Sequence, residues 1–120
     1  MLSTSLVINM RSLEANKLLK TLYNITNPHR IVDLQHDLVR AKVNHVIIDS
    51  LEDQLLKVYS RLYRSMSHSN GRTVTLVLER AERDAIATLF EYLLTYGKWG
   101  NQHFALSNRQ AKELLQVIKC

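Results

Sequence analysis

Residues 73–78, Thr-Val-Thr-Leu-Val-Leu, form the clearest strand pattern in the chain, because they are β-branched or aliphatic throughout. A second short run of this kind occupies residues 5–10. Buried backbone groups need hydrogen-bond partners, so the two runs are expected to pair with each other, or with the same strands of a second copy. A two-stranded ribbon is marginal alone and requires helices packed against it.

The remaining segments carry helical patterns, in which apolar residues recur every three or four positions. Four segments are predicted to be helical: residues 12–25, 28–66, 80–96 and the stretch that starts at Ser107. The segment 28–66 is expected to form two helices, or one helix with a bend near residue 49. Asp49 or Ser50 can cap a new helix there, and the β-branched run before them weakens helix preference.

These patterns predict a mainly α (α+β) fold of four to five helices and one small two-stranded β ribbon, in the order β-α-α-α-β-α-α. The chain has 120 residues, 46% of them hydrophobic, and is expected to be a single compact helical domain over residues 1–120. The segment from Ile31 to Met66 has more apolar surface than two short neighbouring elements of the same domain can cover. Self-association is therefore expected, most simply as a homodimer.

The overall charge favours an acidic partner. Sixteen Lys and Arg residues against eleven Asp and Glu give a net charge of +5, although a charge of this size also serves solubility alone. The single cysteine, Cys120, cannot form an internal disulfide. There is no basic signal-peptide start and no apolar run of about 20 residues, so a cytoplasmic protein with no membrane partner is expected.

A basic stripe is the first candidate binding surface. Four of its residues lie on one helical face and the fifth lies in the loop that follows: Lys57, Arg61, Arg64 and His68, and then Arg72. No acidic residue occurs between Asp53 and Glu79. Tyr59 and Tyr63 lie on the same helix but on other faces. Phosphate binding needs cations that project together with few carboxylates beside them, and the alternative is a solvated face that keeps the helix soluble.

A second basic group surrounds the loop before the last helix. It combines cations with large rings: Lys98, Trp99, Phe104, Arg109 and Lys112. Rings beside cations are typical of single-stranded nucleic-acid sites and of protein interfaces, although the two rings can also fill the end of the core. The helix from Ser107 resembles the second helix of a helix-turn-helix, but the loop before it, near ten residues, is too long for that motif.

Histidine and aspartate spacing offers a third possibility. His29, Asp33 and His36 lie near one helical face, and His45 and Asp49 are four residues apart. Such a set can hold a metal, yet composition alone produces it easily, so no metal and no cofactor are predicted. The sequence has no Gly-rich phosphate loop and no nucleophile motif.

The predicted function is that of a small non-enzymatic regulatory, inhibitor or adaptor protein. It would bind an acidic macromolecular partner, either a protein or a protein–nucleic acid complex, through its basic helical face, with Trp99 and Phe104 as anchors. A DNA- or RNA-binding regulator that uses the same cations is the alternative, and a small metal-dependent enzyme is a further one. A short basic chain of this kind also suits a viral or mobile-element protein.

Overall fold

The computed structural model describes residues 5–68, 71–96 and 107–119. Its elements follow in the order β1 (Leu6–Arg11), α1 (Ser12–Ile25), α2 (Pro28–Arg40), α3 (His45–Ser67), β2 (Thr73–Leu78), α4 (Arg80–Tyr96) and α5 (Asn108–Lys119). The predicted mainly α (α+β) class and the β-α-α-α-β-α-α order are confirmed.

The two strands pair with each other as an antiparallel ribbon, with Leu6 opposite Leu78 and Arg11 opposite Thr73. Alternate side chains of β2 are buried, as expected for a ribbon that covers helices on one face and meets solvent on the other. Gly71 precedes β2 with a φ of +88°, a conformation that favours glycine. Its carbonyl accepts a 2.7 Å hydrogen bond from Ser12 Oγ, which ties the start of α1 to the start of β2.

The long helical segment is divided into α2 and α3, and the break lies earlier than expected. Lys42 adopts a left-handed φ of +62°. Asn44 then caps α3, because its Oδ1 accepts the Val46 N–H at 2.8 Å. Asp49 and Ser50, the predicted caps, lie inside α3, and Ser50 Oγ donates back to the Val46 carbonyl at 2.9 Å. The expected bend near residue 49 is therefore wrong, and the β-branched run belongs to the first turns of α3.

Removing this cap should measurably weaken the fold. Asn44→Ala is expected to lower the free energy of unfolding by about 1 kcal/mol, because the Val46 N–H loses its acceptor. Asn44→Asp retains an acceptor oxygen and should stay close to the wild type. Urea denaturation of the three proteins measures the difference, and equal midpoints for all three would refute the assigned cap.

Buried residues from every described element form one hydrophobic cluster. Helix α3 lies at its centre, because it contacts α1, α2, α4 and β2. Val32, Val39 and Val46 stay about half exposed or more on α2 and the start of α3, and the homodimer remains a prediction. No helix in the described ranges is long and apolar enough to cross a membrane.

Candidate functional site

Most of the predicted basic stripe is exposed on α3 and just beyond it. Lys57, Arg64, His68 and Arg72 are all exposed. Within the described part of the chain, Lys57, Arg64 and Arg72 form no ion pair and no side-chain hydrogen bond. These cations are therefore accessible and not neutralised by the described carboxylates.

Arg61 differs from its neighbours on the stripe. Its Nη1 donates to the Val77 carbonyl at 2.7 Å and also contacts Oε1 of Glu82, a carboxylate that is only 1% exposed. Its Nη2 lies 4.0 Å from Glu79 Oε1. The guanidinium thus joins α3 to the end of β2 and the start of α4, and its charge is balanced inside the molecule.

Glu82 also completes the beginning of α4. Its Oε1 accepts the Glu79 N–H at 2.8 Å, which is the role of the third helical residue in a capping box. Its other oxygen, Oε2, is buried and has no hydrogen-bond partner among the residues that the structure describes. The buried carboxylate therefore depends on Arg61 for its compensating charge.

Strand pairing adds a cation that the sequence analysis missed. Arg11 ends β1 opposite Thr73, and the adjacent Ser12 N–H donates to the Arg72 carbonyl at 3.1 Å. Arg11 is exposed and, like Arg72, has no ion pair within the described ranges. Three peptide bonds join His68, which follows α3, to Gly71, which precedes β2 by two residues, so their Cα atoms lie within about 11 Å of each other. We call Arg11, Lys57, Arg64 and Arg72 the cationic face.

Three tyrosines form a continuous row between α1 and α3. The ring centroids of Tyr23 and Tyr59 are 6.2 Å apart, and those of Tyr59 and Tyr63 are 6.4 Å apart with an interplanar angle of 23°. Tyr59 packs against the core, whereas Tyr23 is 67% and Tyr63 is 56% exposed. We call these residues the tyrosine row. The sequence could not place Tyr23 in it, because that contact depends on how α1 packs on α3.

On α3, Arg64 is the residue of the cationic face that lies nearest to the tyrosine row in helical position. Arg64 follows Tyr63 directly and therefore lies about 100° further around α3, where it is exposed. On α1, Lys20 precedes Tyr23 by three residues, so it lies on the same side of that helix and is also exposed. One cation on each helix, Lys20 and Arg64, therefore neighbours the rings, whereas Lys57 lies about 160° from Tyr59 around α3. Glu52 and Asp53 mark the acidic boundary toward the start of α3.

The second predicted basic group is only partly described. Lys98, Trp99 and Phe104 lie outside the described residues. Arg109 is 90% exposed and its Nε lies 3.2 Å from Glu113 Oε1, while Lys112 is exposed on the same helix. Both belong to α5, whose main packing partner is α4, so they lie on a different element from the cationic face.

Among the described residues, the histidines do not form a metal site. His29, Asp33 and His36 are exposed on α2, and no group of three or more His, Cys, Asp or Glu that could hold a metal occurs among the described residues. A shallow cleft of about 290 Å³ lies between α2 and α4. Its lining includes Leu38 and Tyr92 but none of those three residues.

Comparisons with protein-family models, with curated proteins and with solved structures find no match. The cationic face and the tyrosine row are therefore the features from which a function can be inferred.

Proposed function

We propose that this chain is a non-enzymatic binding protein, acting as a regulator, inhibitor or adaptor, that docks on an acidic macromolecular partner through its cationic face. One observation carries the proposal. Arg11 and Arg72 lie at the same end of the ribbon, Lys57 and Arg64 share one face of α3, and all four are exposed and lack ion pairs with the described carboxylates.

The physical reason is electrostatic. Clustered like charges repel each other, and an anionic surface that covers them relieves this repulsion and speeds association. Arg40, Arg109 and Lys119 each have a carboxylate partner within 4 Å. Other cations outside the cationic face are also exposed and have no ion pair in the described ranges: Lys20, Lys42, Arg80 and Lys112. The cationic face is distinguished by its grouping on one helix face and the ribbon end, and this grouping favours an external partner.

The salt dependence of binding tests this proposal. Fluorescence anisotropy would follow the binding of labelled polyglutamate and of labelled oligothymidine between about 50 and 200 mM salt. We expect at least one polyanion to bind, with an affinity that falls as salt rises. If a strand of nucleic acid neutralises all four cations, the plot of log affinity against log salt should have a slope of about −3. Absence of binding to both polymers at the lowest salt would overturn the proposal.

A further inference from the structure

We infer that the tyrosine row and the cationic face together form a binding site for single-stranded nucleic acid. This inference rests on the proposed function and names the class of its acidic partner. In the site, the bases stack on the rings of Tyr23 and Tyr63, and Lys20 and Arg64 hold the phosphates nearest to the rings.

The exposure of the rings is the first observation behind this inference. Tyr59 packs against the core and fixes the middle of the row, while the two outer rings are more than half exposed. Stacking is possible with every base, so such a row binds strands without requiring a particular sequence. Aromatic rings next to a cationic track are the usual construction of single-strand sites.

The positions of the cations are the second observation. Lys57 and Arg64 are two helical turns apart, which is about 10 Å along α3. Arg11 and Arg72 extend the positive surface beyond the carboxyl end of that helix. Lys20 is positive on the α1 side of the rings. A flexible backbone that passes Arg64 and Lys20 can therefore bring phosphates to these cations while its bases lie over the rings, and the rest of the cationic face can hold phosphates further along the strand.

Single strands fit this surface better than the other acidic partners. A duplex keeps its base faces stacked inside, so it can use the cations but not the rings. An acidic peptide likewise satisfies the charges but offers the exposed rings no planar partner. The combination of unpaired cations with exposed stacked rings therefore favours unpaired bases.

Tyrosine variants test the inference directly. The double variant Tyr23→Ala/Tyr63→Ala removes two exposed rings and keeps every cation. It should bind an oligothymidine of about 12 nucleotides at least tenfold more weakly than the wild type. Tyr23→Phe/Tyr63→Phe keeps the rings and should bind within about twofold of the wild type. Circular dichroism and urea denaturation verify that each variant is folded.

A matched control and two further ligands separate the outcomes. Val39→Ala/Val117→Ala truncates two exposed side chains on α2 and α5 and should leave the affinity unchanged. Duplex DNA and polyglutamate should bind the tyrosine variant as they bind the wild type. Two results would overturn the inference while the proposed function stands. One is that Tyr23→Ala/Tyr63→Ala binds oligothymidine as tightly as the wild type does. The other is that the wild type binds polyglutamate more tightly than oligothymidine. If the wild type binds none of the three ligands, the proposed function fails as well.

Discussion

Arg61→Met should lower the free energy of unfolding by about 2 to 3 kcal/mol, the largest loss of stability that we expect from any single change on the basic stripe. The methionine keeps much of the aliphatic stem but leaves Glu82 as a buried carboxylate without a compensating charge. Breaking a fully buried ion pair costs roughly 3–5 kcal/mol. The side chain of Arg61 is one-third exposed, and solvent therefore screens part of the interaction. For this reason the expected loss lies at or just below the lower limit of that range. Urea denaturation at neutral pH measures the loss.

Arg64→Met is the matched control, because Arg64 lies one turn further along α3, is exposed and has no ion pair in the described ranges. It should change stability by no more than about 0.5 kcal/mol. The double variant Arg61→Met/Glu82→Gln should recover part of the loss, since the amide oxygen can still accept the Glu79 N–H and no charge is left unpaired. Equal stability of Arg61→Met and Arg64→Met would show that Arg61 is an ordinary surface residue.

The fold was largely predictable because its local signals agree with one another. The strand pattern of residues 73–78 predicts β2 and the helical pattern of residues 12–25 predicts α1, and both elements are present at those residues. The break between α2 and α3 was misplaced because two cap residues, Asn44 and Ser50, compete within a few positions. The left-handed conformation of Lys42 interrupts the helix just before Asn44, and this makes Asn44 the cap. The local sequence does not show that the interruption occurs there.

The site was less predictable because it depends on contacts between distant segments. Arg61 and Arg64 occupy equivalent positions in the helical pattern, and only Glu82, on another element, distinguishes them. Arg11 and Tyr23 joined the surface through strand pairing and through the packing of α1 on α3. Charge and periodicity thus located the basic helix, whereas tertiary packing selected which of its residues are accessible.

Reversing the two central cations should have the largest effect on binding. Lys57→Glu/Arg64→Glu removes two contacts and places two negative charges against an anionic partner. Like charges brought together at an interface cost several kcal/mol, so we expect affinity for the bound polyanion to fall about 100-fold or more. Both side chains are exposed, and stability should therefore change little.

The control must change the net charge equally. Each lysine- or arginine-to-glutamate change lowers it by two, so Lys57→Glu/Arg64→Glu takes the chain from +5 to +1 (5 − 4 = 1). Arg40→Glu/Lys42→Glu makes the same change at exposed positions at the end of α2 and in the turn that follows it. Neither residue belongs to the cationic face or to the second basic group.

The most direct measurement is the ratio of the dissociation constants of these two double variants for labelled oligothymidine and polyglutamate at one fixed salt concentration. A surface that binds through α3 predicts a loss of about 100-fold for Lys57→Glu/Arg64→Glu and a loss within about threefold for Arg40→Glu/Lys42→Glu. Equal losses in the two variants would mean that net charge alone governs binding, and the cationic face would then have no specific role.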